Sequence, residues 1–242
     1  MNIGATTLLL HVVATFLHFI SATLLLVVAS DRGWLIANEW CTFASHTLGV
    51  ILWARWAESK QPEETIDEWK IWEYTRRWSE YMITAGLLEV AILNTTDSSR
   101  ITVILTLNFL LQLVGWLTEI VERTFTLLFF GFVILGFEIG FISIWSSEPV
   151  HTKIIYAVLY TLFGVVQTLD KLHKLPFDPD HIYTLLSITT KLVLTWTIVA
   201  HDRNDPFLEW AVFTVAMVSL LWGGARLYIP LNGRSNRILP GT

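Results

Sequence analysis

Lys191 interrupts the apolar run LLSITTKLVLTWTIVA, residues 185–200, near its middle. A lysine at the centre of a bilayer costs about 2.5–3.5 kcal/mol on insertion scales, so its amine must be neutral, ion-paired or covalently modified. With a helix starting near His181 and ending near His201, Lys191 is ten residues from each. That is about 15 Å at 1.5 Å per residue, which is the midplane and too deep for comfortable snorkelling. Three chemistries suit such an amine. It can pair with a carboxylate to pin two helices, line a substrate or ion site, or condense with an aldehyde to a Schiff base.

A carboxylate at matching depth is available. In IWEYTRRWSEYMITAGLLEVAIL, Glu80 lies ten residues beyond Lys70, as Lys191 lies ten beyond His181. Arg76 and Arg77 fall nearer the interface, where they can snorkel towards phosphates, which leaves Glu80 as the first deep carboxylate of its helix. Each charge would cost more alone than as a pair. The alternative for Glu80 is a cap on a helix that starts later. Ser187 precedes Lys191 by four residues, one turn away on the same face, so its hydroxyl can donate to Glu80 or back-bond within its helix.

Two further acids bear on proton movement. Glu89 follows Glu80 by nine residues, and Glu138 is embedded in FFGFVILGFEIGFISIW. Buried carboxylates relay protons, so a route from Lys191 through Glu138 or Glu89 is one reading. Exposure to water or a structural pairing is the other.

The elements that hold these residues are apolar. Of 242 residues, 53% are hydrophobic and 15% charged, against about a quarter charged in a soluble domain. Twelve Trp suit membrane interfaces and ligand pockets. The one cysteine, Cys41, excludes an internal disulfide framework and a multi-cysteine metal site, and a net charge of −5 gives no nucleic-acid footprint. Eight apolar stretches follow, at about 5–29, 39–57, 71–95, 100–120, 124–146, 153–170, 181–201 and 207–229. Each is near the roughly 20 residues that cross a bilayer. The first lacks a positively charged start and is long for a signal core, so it reads as a retained helix. The expectation is an all-α, multi-pass membrane protein: a domain over 1–201 and a C-terminal extension over 202–242 with an eighth apolar helix at 207–229.

Lys and Arg accumulate on the cytoplasmic side. The even loops and both termini hold Arg55, Lys60, Lys70, Arg76, Arg77, Arg123, Lys171, Lys174, Arg226, Arg234 and Arg237, whereas the odd loops hold Arg32, Arg100, Lys153 and Arg203. Eleven against four predicts a cytoplasmic N-terminus. The C-terminus is cytoplasmic as well if 207–229 crosses. If that stretch lies on the surface, the bias almost vanishes.

These residues resemble a family, the heliorhodopsins, the inverted-topology branch of retinal-binding microbial rhodopsins. RWSEYMITAGLL (Arg77–Leu88) is similar to the family's counterion segment, and LNFLLQLVGWLTE (Leu107–Glu119) to its asparagine-bearing fourth helix. YTLLSITTKLVLTWTI (Tyr183–Ile198) is similar to its lysine helix, and LFGVVQTLD matches more loosely through Phe163, Val166 and Gln167. The resemblance covers about half of the chain. It implies a seven-transmembrane rhodopsin-like bundle carrying all-trans retinal on Lys191 as a protonated Schiff base. It also implies Glu80 as counterion, Ser187 as hydrogen-bonding neighbour, a cytoplasmic N-terminus and a homodimer. In commoner microbial rhodopsins the position of Ser187 is normally aspartate. A single carboxylate leaves fewer proton acceptors and makes outward pumping less expected.

By position, the retinal slot draws on Ile83, Thr84 and Leu87 of helix three, Asn108, Gln112 and Gly115 of helix four, Tyr160 and Phe163 of helix six, and Trp196 of helix seven. At Gly115 only a very small side chain lets a flat ring approach. The family places inward histidines on helices one and two. His18 in FLHFISA resembles the first, with His11 one heptad earlier. An ungapped count from Glu80 puts Trp53 at the second position, and His46, two turns before it, can substitute. The family's long loop between helices one and two is shortened to roughly residues 30–38, and the eighth stretch has no equivalent.

Three functions follow as expectations. The first is a light-activated photoreceptor whose output is signalling or regulation of a cytoplasmic protein partner. The second is a light-gated proton or ion channel or transporter using His18, His46, Glu89 and Glu138. The third is a transporter or structural membrane protein without a chromophore, in which Lys191 and Glu80 form an ordinary ion pair. A conventional enzyme is not expected, since no large soluble domain, nucleotide-binding glycine motif or metal-ligand cluster is evident.

Overall fold

The computed structural model describes residues 3–58, 66–121, 124–175, 178–205, 207–208, 211 and 214. Seven helices follow in order: α1 (Ile3–Val28), α2 (Gly33–Glu58), α3 (Ile66–Leu93), α4 (Ser98–Ile120), α5 (Thr124–Trp145), α6 (Val150–Lys171) and α7 (Pro179–Asp202). The expected eighth helix at 207–229 lies almost wholly outside the described residues.

Each helix packs on its neighbour in sequence, α7 closes the ring against α1, and α3 reaches across to touch both α5 and α7. Short connections make sequential neighbours antiparallel. The turn between α1 and α2 is tighter than expected: α2 starts at Gly33, because Arg32 and Ala29 close the turn through a backbone bond of 3.0 Å. Local chemistry fixes other ends. Asp97 caps α4 through the Ser99 amide (2.9 Å), and Asp178 caps α7 through the Asp180 amide (3.0 Å) with Pro179 in the first turn. Asn94 and Asn204 adopt left-handed backbone (φ 47° and 51°) just past α3 and α7.

Five helices, α1, α4, α5, α6 and α7, are long and apolar enough to cross a membrane. The chain is a multi-pass helical membrane protein. α2 and α3, with 26 and 28 residues, have the length but not the composition. The reason is visible in their packing: Glu39, Glu73, Arg76, Arg77, Glu80 and Glu89 are all buried inside the bundle and not turned towards lipid. Apolar side chains such as Phe16, Val27, Phe129 and Ile144 face outward instead.

Candidate functional site

α3 and α7 enter from the same end of the bundle, and this brings Glu80 and Lys191 together. The Lys191 amine donates to Glu80 Oε1, and both side chains are buried. Ser187 Oγ donates to the same oxygen at 3.2 Å. The other oxygen, Oε2, accepts from Ser45 Oγ (2.7 Å) and from the Arg76 guanidinium (3.0 Å). Arg76 spans onward to Glu73 at 2.5 Å. Two carboxylates thus meet two cations, a neutral cluster that offsets the desolvation of its members. The Lys191 amine also lies 5.3 Å from the centre of the Tyr81 ring.

The arginines differ from expectation. Arg76 and Arg77 do not snorkel to an interface but are buried and paired, because carboxylates lie within their reach inside the bundle. Arg77 contacts Asp180 (2.5 Å) and Glu119 (3.2 Å), Glu119 also binds Lys171 (2.6 Å), and the guanidinium stacks over Tyr183 at 4.2 Å. Glu80 sits well inside α3, four turns from its start, and so does not act as a cap.

Histidines extend the polar centre along α1 and α2. His46 Nε2 is 3.7 Å from Glu80 Oε1, and its Nδ1 is 3.0 Å from His11 Nδ1, so one ring supplies the proton of that bond. His11 Nε2 faces Glu73 at 3.5 Å. His18 stacks on His46 with ring centres 5.8 Å apart. His46 therefore occupies the place beside Glu80, and Trp53 instead donates to Glu73 at 3.3 Å. On its far side His18 bonds Glu39 (2.6 Å), whose second oxygen accepts from Thr195 (2.9 Å) and Asn38 (3.3 Å). Glu39 was not anticipated. The expected loop to residue 38 put it at a helix edge, whereas the earlier start of α2 carries it inside.

A slot opens at Lys191 and runs between α3, α4, α5 and α6. Of the nine lining residues expected for it, Gln112, Gly115, Tyr160 and Phe163 do line it. Five do not. Ile83 is 55% exposed and points out of the bundle. Thr84 is buried but back-bonds to the Glu80 carbonyl (2.8 Å), and Leu87 is likewise absent from the lining. Asn108 lies behind Gln112, bonded to it (3.0 Å) and to the Met82 carbonyl (2.8 Å), and Trp196 bonds Ser21 (3.0 Å) on the α1 side. The helix-three set fails through rotation. Glu80 faces α2 and α7, while the slot takes Trp78, Tyr81 and Ala85, turned about 100–160° round α3 at 100° per residue. Phe132, Leu135 and Thr190 complete walls that had not been singled out. A Cβ on Gly115 would collide with the Trp78 ring, so glycine permits the ring to lie flat against α4.

Glu89 and Glu138 come together on the other face of α3, both fully buried. Tyr156 donates to Glu89 at 3.2 Å. Comparison of the chain with protein-family models, curated proteins and solved structures gave no match. Its functional reading rests on the residues themselves.

Proposed function

We propose that this chain is a light-activated, retinal-binding photoreceptor of heliorhodopsin type, with all-trans retinal attached to Lys191 and Glu80 as its single counterion. One observation carries the reading: a buried amine stands at the end of an aromatic slot, held by one carboxylate. An amine with no role beyond pinning α3 to α7 has no need of the slot. The residues fit the group in two respects. Trp78, Tyr81, Phe132 and Phe163 supply flat apolar walls, and Gly115 leaves room for the Trp78 ring. When bound, the retinal supplies light absorption and isomerisation. Glu80 balances the cationic nitrogen, Ser45 and Ser187 fix its carboxylate, and Arg76 pairs with its second oxygen. His46 stands 3.7 Å from Glu80, and His11 continues the polar line from His46 at 3.0 Å. The output is signalling or regulation of a partner.

The test is the visible spectrum of purified protein with all-trans retinal, beside Lys191→Arg. A retinal band in wild type that is lost in the variant is the expected outcome. No band in either would overturn the reading and return Lys191 and Glu80 to a structural or transport pair. The buried chain from Glu73 through His11, His46 and His18 to Glu39 favours a second reading, light-gated proton conduction. Photocurrents under voltage clamp separate that reading from signalling.

A further inference from the structure

α3 carries two deep acids, and the second has no role in the reading above. Glu89 comes nine residues after Glu80, a half-turn displacement that aims it at α5 and α6. There it meets Glu138, the one acid of α5, and both side chains have 0% exposure. The two carboxyls act directly on each other across the contact of α3 with α5. The other groups acting on Glu89 are Tyr156 and Tyr160, neither of them a cation. Among the described residues no Lys, Arg or His forms a salt bridge with either carboxyl. One oxygen of Glu89 and both of Glu138 accept nothing from a conventional donor.

That arrangement is unstable for two carboxylates. Like charges in contact inside an apolar bundle cannot both stay ionised, and two carboxyl oxygens bond to each other only when a proton lies between them. Among the described residues neither carboxyl has a cation acting on it. A bound proton satisfies the geometry with the groups present. Tyr160 gives the pair a link to the rest of the molecule, since it borders the Lys191 slot, donates to the Ala85 carbonyl of α3 at 3.4 Å, and packs against Tyr156 with ring centres 4.3 Å apart.

We propose that Glu89 and Glu138 form a buried proton-storage site in which a proton is held between the two carboxyls, with the Tyr156 hydroxyl donating to Glu89. Tyr160 connects it to the Lys191 slot. The site exists in the dark and without a chromophore, so the inference does not rest on retinal binding.

The experiment is infrared spectroscopy of the full chain in lipid at neutral pH, in the dark and without added retinal. Wild type is expected to show a protonated-carboxyl C=O stretch that Glu89→Gln/Glu138→Gln lacks. An equal band in both proteins would overturn the proposal. So would a band that is absent in sodium buffer and appears when sodium is replaced by choline, since a metal cation would then fill the site. If the double variant does not fold, Tyr156→Phe decides. Loss of its hydroxyl from Glu89 must shift the band, and an unshifted band would place the proton elsewhere.

Discussion

Glu80 and Glu89 are the same side chain on the same helix, two and a half turns apart and on opposite faces, and the fold handles them in opposite ways. Glu80 collects a donor from four residues, two of them cations: Lys191, Arg76, Ser45 and Ser187. Glu89 faces another acid and a tyrosine hydroxyl. Desolvation must be met in both places, since an isolated buried charge is expensive. On the α2–α7 side it is met by counter-charge, and on the α5–α6 side by a proton. The difference assigns different capacities. A counter-charged acid holds a cationic nitrogen fixed, while a protonated pair can give up or take back a proton without moving any helix.

The largest effect that follows is on Glu80. Glu80→Gln strands Lys191 and leaves Arg76 with Glu73 as its one carboxylate partner beside Ser45. Breaking a buried pair from one side costs about 3–5 kcal/mol. Thermal unfolding in detergent without retinal should register that loss. Adding Lys191→Met to Glu80→Gln should return a large part of it, because the uncompensated amine goes with its partner. A double variant no more stable than Glu80→Gln alone would show that Arg76, not Lys191, is the partner that matters.

How much of this could be read in the sequence follows from the same geometry. The depth of Lys191, Glu80 and Ser187 depends on counting residues from helix ends, and the structure brings those three side chains into one hydrogen-bonded group. The order of the seven described helices was legible for the same reason, since apolar length is a one-dimensional signal, while the expected eighth lies almost wholly outside the described residues. The rotation of a helix about its axis is not. Ile83 turns out of the bundle and Leu87 lies off the slot beside Lys191, whose α3 wall is Trp78, Tyr81 and Ala85. Glu39 escaped notice because its depth depends on where α2 starts, and Gly33 does not stop that helix. Glu138 was recognised as deep, but its facing partner depends on the packing of α3 against α5, which no spacing within either segment records.

The pair of His18 and Glu39 lies between the two regimes and sharpens the contrast. Glu39 is fully buried, bonds a histidine at 2.6 Å and accepts two further hydrogen bonds from Thr195 and Asn38. Its compensation is therefore partly charge-assisted and partly neutral. His18→Phe keeps a ring of similar size and removes the donor. The expected cost is about 2 kcal/mol, within the range for hydrogen bonds to charged groups. Thermal unfolding beside Glu80→Gln measures it. A loss as large as that of Glu80→Gln would place Glu39 with the counter-charged acids, and no loss would mean that Thr195 and Asn38 suffice.

The smallest effect is expected where the contrast is most exposed to failure. Glu138→Gln removes one carboxyl from the α3–α5 contact at nearly constant volume. If the site holds a proton, the new amide donates to Glu89 in place of that proton, and only one further N–H is added to the contact. Stability should then stay within about 1 kcal/mol of wild type, the net value of one ordinary hydrogen bond. If Glu138 were instead an ionised carboxylate balanced by a bound cation, the substitution would strip that cation of a ligand and the cost would approach that of Glu80→Gln. Unfolding of the two variants side by side therefore decides whether two acids on one helix are held by two mechanisms or by one.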